Sequence, residues 1–157
     1  MKKLLLAGAA LTAMTAAAQA ESHATEVKLG VILGFTGPIE SLTPAMAAGA
    51  EFAMQEVTDS GQLLGGAKVT PVRADSTCVD AGAATAAAER LITAEGVKGI
   101  MGADCSGVTG AILTNVAVPN GMVMISPSAT SPGLTETEDN GLFFRTAPSD
   151  ARQGQVV

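Results

Sequence analysis

Residues 27–34, VKLGVILG, decide the fold class of this chain. The stretch is short, apolar and rich in β-branched side chains, which predicts a strand buried inside a sheet. From Ala45 onward the apolar spacing becomes that of a helix. The residues that keep this helical spacing are Met46, Ala50, Ala53, Met54 and Val57. Ser60-Gly61 is expected to end the helix, because glycine readily adopts the left-handed conformation of a C-terminal cap.

Outward from this unit, strand-like and helix-like segments alternate along the rest of the chain. Further strands are predicted at residues 68–74, 98–101, 122–125 and 142–145. Helices are predicted at residues 80–94, with Asp80 as the cap, from residue 108 to a turn at 119–121, and from residue 149 onward. Pro71 removes a hydrogen-bond donor from the second strand and favours an edge position. This alternation predicts an α/β fold with a doubly wound parallel sheet.

The polar loops that follow the strands are the first place to look for a site. In open parallel sheets, ligands bind beyond the carboxyl ends of the strands. Residues 105–107 join a strand to a helix, where unpaired amides favour an anion; Ser106 adds a hydroxyl, although a plain helix cap is an equal alternative. Residues 126–132, SPSATSP, are rich in hydroxyls and stiffened by two prolines. A simple surface loop remains an alternative for this second stretch.

The first twenty residues are typical of an export signal. Lys2 and Lys3 precede an apolar run at 4–18, and Ala18-Gln19-Ala20 fits a small-x-small cleavage site. The run is shorter than the ~20 residues that span a bilayer, so we expect cleavage near Ala20 and no membrane insertion. A buried N-terminal helix is the alternative. Residues 21–157 are then expected to be a periplasmic domain, and its apparent end inside a helix predicts a truncated one.

Charge and cysteine content narrow the class of partner. Without the two signal lysines, 7 basic residues face 15 acidic ones, a balance that repels nucleic acid and anionic membranes. An oxidising compartment favours a disulfide between Cys78 and Cys105, although two free thiols remain an alternative. His23 is the only histidine, so neither a metal site nor a Ser-His-Asp triad is expected. Gly102 and Gly107 have Walker spacing without the lysine, so no nucleotide cofactor is expected. No G-x-S-x-G motif occurs either, and together with the lone histidine this predicts no enzyme activity.

Several short motifs, in order across about 120 residues, also carry a resemblance. They are Thr36-Gly37-Pro38, Gly49-Ala50-Glu51, Asp75 with Cys78, residues 102–106, residues 126–130, Phe144-Arg145-Thr146, Asp150 and Gln153-Gly154. In these motifs the chain resembles the N-terminal lobe of the branched-chain amino-acid (leucine/isoleucine/valine) periplasmic binding proteins of ABC importers. The resemblance implies a type I fold, a second lobe that closes over the ligand, a monomer, and delivery to a membrane permease.

The resemblance also assigns roles to individual residues. It implies a cystine between the loops of Cys78 and Cys105. Ser106 and Thr130 would bind the α-carboxylate and α-ammonium groups of an amino acid, with the carbonyl of Ser128 accepting from the ammonium. Ala129 and Cys105 complete the expected head-group site.

Two positions depart from the family pattern. Leu42 stands where the family often has an aromatic residue, and Asp104 stands where it has an apolar one. Both are expected near the ligand side chain. Asp104 either caps the third helix or faces the cleft and selects a more polar or cationic ligand. Three other functions remain open: a urea, amide or aromatic-acid carrier of the same fold, a ligand-sensing receptor domain, and an exported enzyme.

Overall fold

The structure is a computed structural model that describes residues 25–157. The predicted signal peptide at 1–20 and His23 lie outside the described residues. The described chain contains a five-stranded parallel sheet with the order β2-β1-β3-β4-β5, which confirms the predicted α/β parallel-sheet class. The strands are β1 Glu26–Leu33, β2 Lys68–Asp75, β3 Ile100–Gly102, β4 Met124–Ser126 and β5 Phe143–Arg145. Each boundary lies within two residues of its prediction.

Helices connect these strands in the alternating pattern that the sequence predicts. They are α1 Thr43–Ser60, α2 Ala81–Thr93, α3 Ser106–Ile112, α4 Gly133–Glu136 and α5 Asp150–Val156. Asp80 caps α2 as predicted, because its side chain accepts from the Ala83 amide. The sequence did not predict the short helix α4 or the π-helical turn Leu113–Ala117 that continues α3.

Strand β2 lies at the edge of the sheet, as its internal Pro71 predicts. It pairs with β1 over eight positions, with Pro71 opposite Leu29. A strand with a second neighbour would need donors on both sides, and proline cannot supply one. The position of Pro71 is therefore compatible with full pairing on the side of β1.

The core occupies both faces of the sheet. Successive side chains of β1 alternate between the faces: Ile32 packs with Leu91 and Ile112 on the side of α2 and α3, and Val31 and Leu33 pack on the side of α1. All five of these side chains are fully buried. This two-sided burial explains why residues 27–34 read as a continuous apolar run instead of an alternating one.

The α1 face of the sheet is less completely covered than the opposite face. An apolar groove of about 620 Å³ runs beside α1. Val123 and Ile125, which line it, are 46% and 41% exposed.

Gly102 allows a close approach between β3 and β1. Its φ is +132°, and a Cβ at this position would lie 1.9 Å from the carbonyl oxygen of Ile32. An L side chain would therefore meet both backbone strain and a direct clash with β1. Gly102 is the last residue of β3, so a residue without a side chain is required where this strand leads into the following loop.

Cys78 and Cys105 form a disulfide, as predicted, and it joins the loops that follow β2 and β3. Across residues 25–157, no helix combines the length and the apolar character that crossing a bilayer requires.

Candidate functional site

Asp104 ties together the carboxyl ends of three strands. Its Oδ2 accepts from the Gly34 amide at 2.8 Å, and its Oδ1 accepts from the Ser76 hydroxyl at 3.3 Å and from the Cys105 amide at 3.0 Å. The Asp104 residue is only 3% exposed. A buried carboxylate is costly unless its oxygens are hydrogen-bonded, and these donors come from the ends of β1, β2 and β3.

The expectation that Asp104 caps the third helix is wrong. The N-terminal cap position of α3 is occupied by Cys105, and no side chain bonds to the first helical amides there. The Asp104 oxygens instead turn toward Gly34 and Ser76, in the loops after β1 and β2. The Asp104 side chain therefore connects the loops that follow β1, β2 and β3.

A second hydrogen-bonded group, at the surface, joins the loops after β1 and β2. The Thr36 hydroxyl donates to Asp75 Oδ2 at 2.6 Å, and the Thr77 amide donates to Asp75 Oδ1 at 2.8 Å. Burial alone would raise the pKa of the Asp75 carboxyl, but the hydrogen bonds from Thr36, Thr77 and neighbouring amides outweigh it and lower that pKa. The lowered pKa favours the ionised form of Asp75, which accepts hydrogen bonds from the loops after β1 and β2.

The Ser106 hydroxyl joins the start of α3 to the loop after β4. Its Oγ accepts from the amides of Thr130 and Ser131, both at 3.1 Å. A serine hydroxyl has two acceptor lone pairs and one proton. Because two amides use the acceptor sites, the proton of Ser106 is left to donate. The alternative of a plain helix cap is wrong, since Ser106 is the first residue of α3 and Cys105 holds the cap position.

Hydrogen bonds from Ser126 and Ser128 connect the loop after β4 to the residues that follow β3. The Ser126 hydroxyl donates to the Ala103 carbonyl at 2.5 Å, and its oxygen accepts from the Ala129 amide at 2.9 Å. The Ser128 hydroxyl donates to the Asp104 carbonyl at 3.0 Å. Ser126 and Ala129 are fully buried. The alternative of a simple surface loop is therefore wrong, because this stretch is built into the end of the sheet.

Arg145 holds the same loop from the side of β5. Its guanidinium donates to the Ser131 carbonyl at 2.8 Å, to the Ala129 carbonyl at 3.5 Å and to the Thr135 hydroxyl. An arginine fork can serve several carbonyls in one plane. The cation thus fixes the backbone of the loop from one side while Ser106 fixes it from the other.

The structure brings most of the predicted site residues into one hydrogen-bonded cluster, which contains Asp104, Cys105, Ser106, Ser128, Ala129 and Thr130. Leu42 is separate from these bonds: it lies at the end of the first loop, 57% exposed. Its neighbour Thr43 donates to the Gly34 carbonyl at 3.2 Å, which places the first loop beside the cluster. The sequence reasoning gave no site role to Ser76 or to Arg145, although Arg145 belongs to one of the motifs that carry the resemblance. The partners of both side chains lie in other loops and leave no local spacing signal. Within residues 25–157, no three metal-ligating side chains are grouped as a metal site.

Comparison with known proteins decides the family. Residues 26–157 match the family model described as periplasmic binding protein. The chain belongs to the periplasmic binding protein family. This assignment agrees with the resemblance that the short motifs carry.

Similar proteins include a relative named for leucine, isoleucine and valine, and a solved structure with bound isoleucine. The chain is 35% identical over its whole length to Leu/Ile/Val-binding protein homolog 1 of Brucella abortus, and it spans 40% of that relative. The structure superimposes with a TM-score of 0.72 and 28% identity on the branched-chain amino acid transporter substrate binding protein LivJ of Streptococcus pneumoniae in complex with isoleucine, with 80% of this chain and 35% of LivJ covered.

A third similarity has a different ligand. An ABC transporter solute binding protein of R. palustris in complex with benzoate superimposes with a TM-score of 0.72 and 27% identity, covering 83% of this chain and 35% of that protein. The fold therefore occurs with ligands that share a carboxylate and differ in the rest of the molecule.

Proposed function

We propose that residues 21–157 form the N-terminal lobe of the periplasmic substrate-binding component of an ABC importer, and that this lobe captures an amino acid without catalysis. The observation that carries the proposal is the bond between the Ser106 hydroxyl and the Thr130 amide at 3.1 Å. It joins the start of α3 to the loop after β4, two stretches that a clamp for a zwitterion must bring together.

The start of α3 supplies the side of the clamp that binds the carboxylate. The Ser106 proton is available because its oxygen already accepts from two amides. The first amides of a helix lack partners within that helix, and their positive end favours an anion by about 0.3–1 kcal/mol. The disulfide at Cys105 fixes this start next to the loop after β2, so the donors are positioned before the ligand arrives.

The loop after β4 supplies the side that binds the ammonium. The Thr130 hydroxyl oxygen and the Ser128 carbonyl are acceptors, and an ammonium group offers only donors. Ala129 contributes through the shape of the loop, since its side chain is fully buried.

The ligand side chain meets the first loop, where Leu42 is exposed. A leucine at this place favours an apolar side chain, which agrees with relatives named for leucine, isoleucine and valine. Asp104 supports the site indirectly, because its oxygens are occupied by Gly34, Ser76 and Cys105. We therefore do not assign it a cationic ligand.

Calorimetry of the full-length protein with leucine tests this function. Ser106→Ala removes the hydroxyl that donates to the carboxylate and is expected to weaken binding by about 1.5–3 kcal/mol, the value of a hydrogen bond to a charged group. Thr114→Ala is the matched control, since Thr114 is exposed and its hydroxyl donates to the Gly110 carbonyl at 2.9 Å. Equal affinities of the Ser106 and Thr114 variants for leucine would remove Ser106 from the site.

A second candidate keeps the fold and the importer and replaces the amino acid with an aromatic acid. The R. palustris protein in complex with benzoate favours it. The donors around Ser106 suit any carboxylate, so the two candidates differ in what the Thr130 side must accept. A thermal-shift comparison of the full-length protein with leucine and with benzoate separates them, because the ligand that binds the folded state raises Tm.

A further inference from the structure

Thr130 and Asp150 form a reciprocal pair at the edge of the proposed site. The Thr130 hydroxyl donates to Asp150 Oδ2 at 3.0 Å, and the Asp150 amide donates to the Thr130 carbonyl at 2.9 Å. The Thr130 amide donates in turn to Ser106. Side chain, amide and carbonyl of Thr130 are thus all fixed, two of them by Asp150.

This pair removes the choice that a free threonine hydroxyl has. A hydroxyl carries one proton and can rotate to donate it to an anion or turn its lone pairs toward a cation. The carboxylate of Asp150 holds the Thr130 proton, and hydrogen bonds to a charged acceptor are stronger than neutral ones. The Thr130 oxygen is therefore left with lone pairs only, and the negatively charged Oδ2 of Asp150 lies 3.0 Å from it.

Both side chains border the same open space. A cavity of about 380 Å³ is lined by Thr130 and Asp150, together with residues of α5 and the segment before it. Arg152 also lines this cavity, but its guanidinium donates to Gln155 Oε1 at 3.1 Å. Arg145 donates to the carbonyls of the loop and to Thr135. Among the described residues, Asp150 forms no ion pair with either guanidinium, and its carboxylate accepts from Thr130.

We propose that Asp150 is a positioning residue that fixes the polarity of the clamp. By holding the Thr130 proton, it makes Thr130 an acceptor for a cationic amine and selects against an acid that lacks one. The opposite pole is Ser106, whose proton is free to donate. The inference rests on the proposed function and adds the group that distinguishes an amino acid from a simple carboxylic acid.

The test compares leucine with 4-methylpentanoate, the same acid without the ammonium group, by calorimetry of the full-length protein. Asp150→Asn keeps an oxygen that can accept from Thr130 but removes the charge, and Asp150→Ala removes both. We expect leucine affinity to fall about tenfold in Asp150→Ala and less in Asp150→Asn, with 4-methylpentanoate affinity unchanged or higher. Asp59→Asn is the matched control, because Asp59 is an exposed carboxylate that accepts from Gln55 at 2.7 Å on α1.

The possible outcomes separate this inference from the proposed function. Wild-type protein that binds benzoate and no amino acid overturns both. Wild-type protein that binds leucine, with Asp150 variants that weaken both test ligands equally, overturns the inference alone. Thr130→Val supplies a second measurement in case the Asp150 variants are unstable. Thr130→Val should lower the preference for leucine over 4-methylpentanoate as much as Asp150→Ala does, and adding Asp150→Ala to it should cause no further loss.

Discussion

The rigid side of the proposed site, which is the head-group clamp formed by Ser106 and Thr130, and the first loop beside it differ in how they are held. The part around Ser106 and Thr130 is fixed by a disulfide, by the buried carboxylate of Asp104 and by hydrogen bonds to three loops. The first loop, which carries Leu42, is held at its surface by Thr36 and Asp75 and is more exposed. In the proposed site, the head group would therefore contact a rigid surface, while the ligand side chain would contact a more exposed loop with fewer hydrogen bonds to the rest of the lobe.

Nearby, the first loop is also supported by a surface ion pair. Arg73 binds Glu51 with two hydrogen bonds of 2.5 and 2.8 Å, and its guanidinium lies 5.4 Å from the centroid of the Phe35 ring. The hydrogen bond from Arg73 lowers the pKa of the Glu51 carboxyl. Exposed pairs of this kind contribute little to stability, in contrast to the bonds of Asp104.

The largest loss of stability is expected from Gly102→Ala, at the end of β3 and directly before the loop that leads to Ser106. The new Cβ would meet the Ile32 carbonyl oxygen at 1.9 Å, and we expect a loss of about 4–6 kcal/mol in the free energy of unfolding, because steric overpacking and backbone strain act together. Urea unfolding of the full-length protein measures it. Gly49→Ala is the control: nothing lies within 4 Å of its Cβ position, and we expect a gain of about 0.5–1 kcal/mol in the helix. Similar effects at both glycines would contradict the close approach of β3 to β1.

An intermediate effect is expected from removing the disulfide. Replacing Cys78 and Cys105 by serine frees a loop with a sequence separation of 27, which costs about 3.5 kcal/mol in the chain-entropy model. Thermal unfolding with and without reductant measures the change. The wild-type Tm should fall on reduction, while the doubly substituted protein should not respond. A wild-type Tm that does not change with reductant would mean that the disulfide does not stabilise the rigid side.

The smallest effect is expected at the first loop and depends on pH. The pKa of Asp75 is lowered in the folded state, so its hydrogen bonds stabilise the fold above about pH 4 and are lost as the pH falls through the lowered value. Thr36→Val removes one donor to Asp75. It should cost about 1 kcal/mol or less at pH 7 and flatten the acid dependence of urea unfolding below about pH 4. A steeper acid dependence in the variant would reverse the assigned direction.

The sequence predicted the sheet well because its signals are local. The β-branched run at 27–34, Pro71 and the Asp80 cap each act within a few residues, and the structure confirms the strand, the edge position and the cap. The role of Asp104 was not predictable in this way, because its donors lie 70 and 28 positions away. The same holds for Asp150, whose link to Thr130 spans 20 positions. Local patterns thus indicate which loops lie together. The nonlocal hydrogen bonds decide which donors and acceptors in those loops remain free for a ligand.

Pro71 has a consequence beyond the position of β2. An edge strand offers a row of backbone donors and acceptors to which a strand of a neighbouring molecule can add. The row on β2 lacks the N–H of Pro71 in the middle of its eight residues, so an added strand would leave an acceptor without a donor there. At the high local concentrations of a crowded compartment, this gap discourages the chain from extending its own sheet into a fibre.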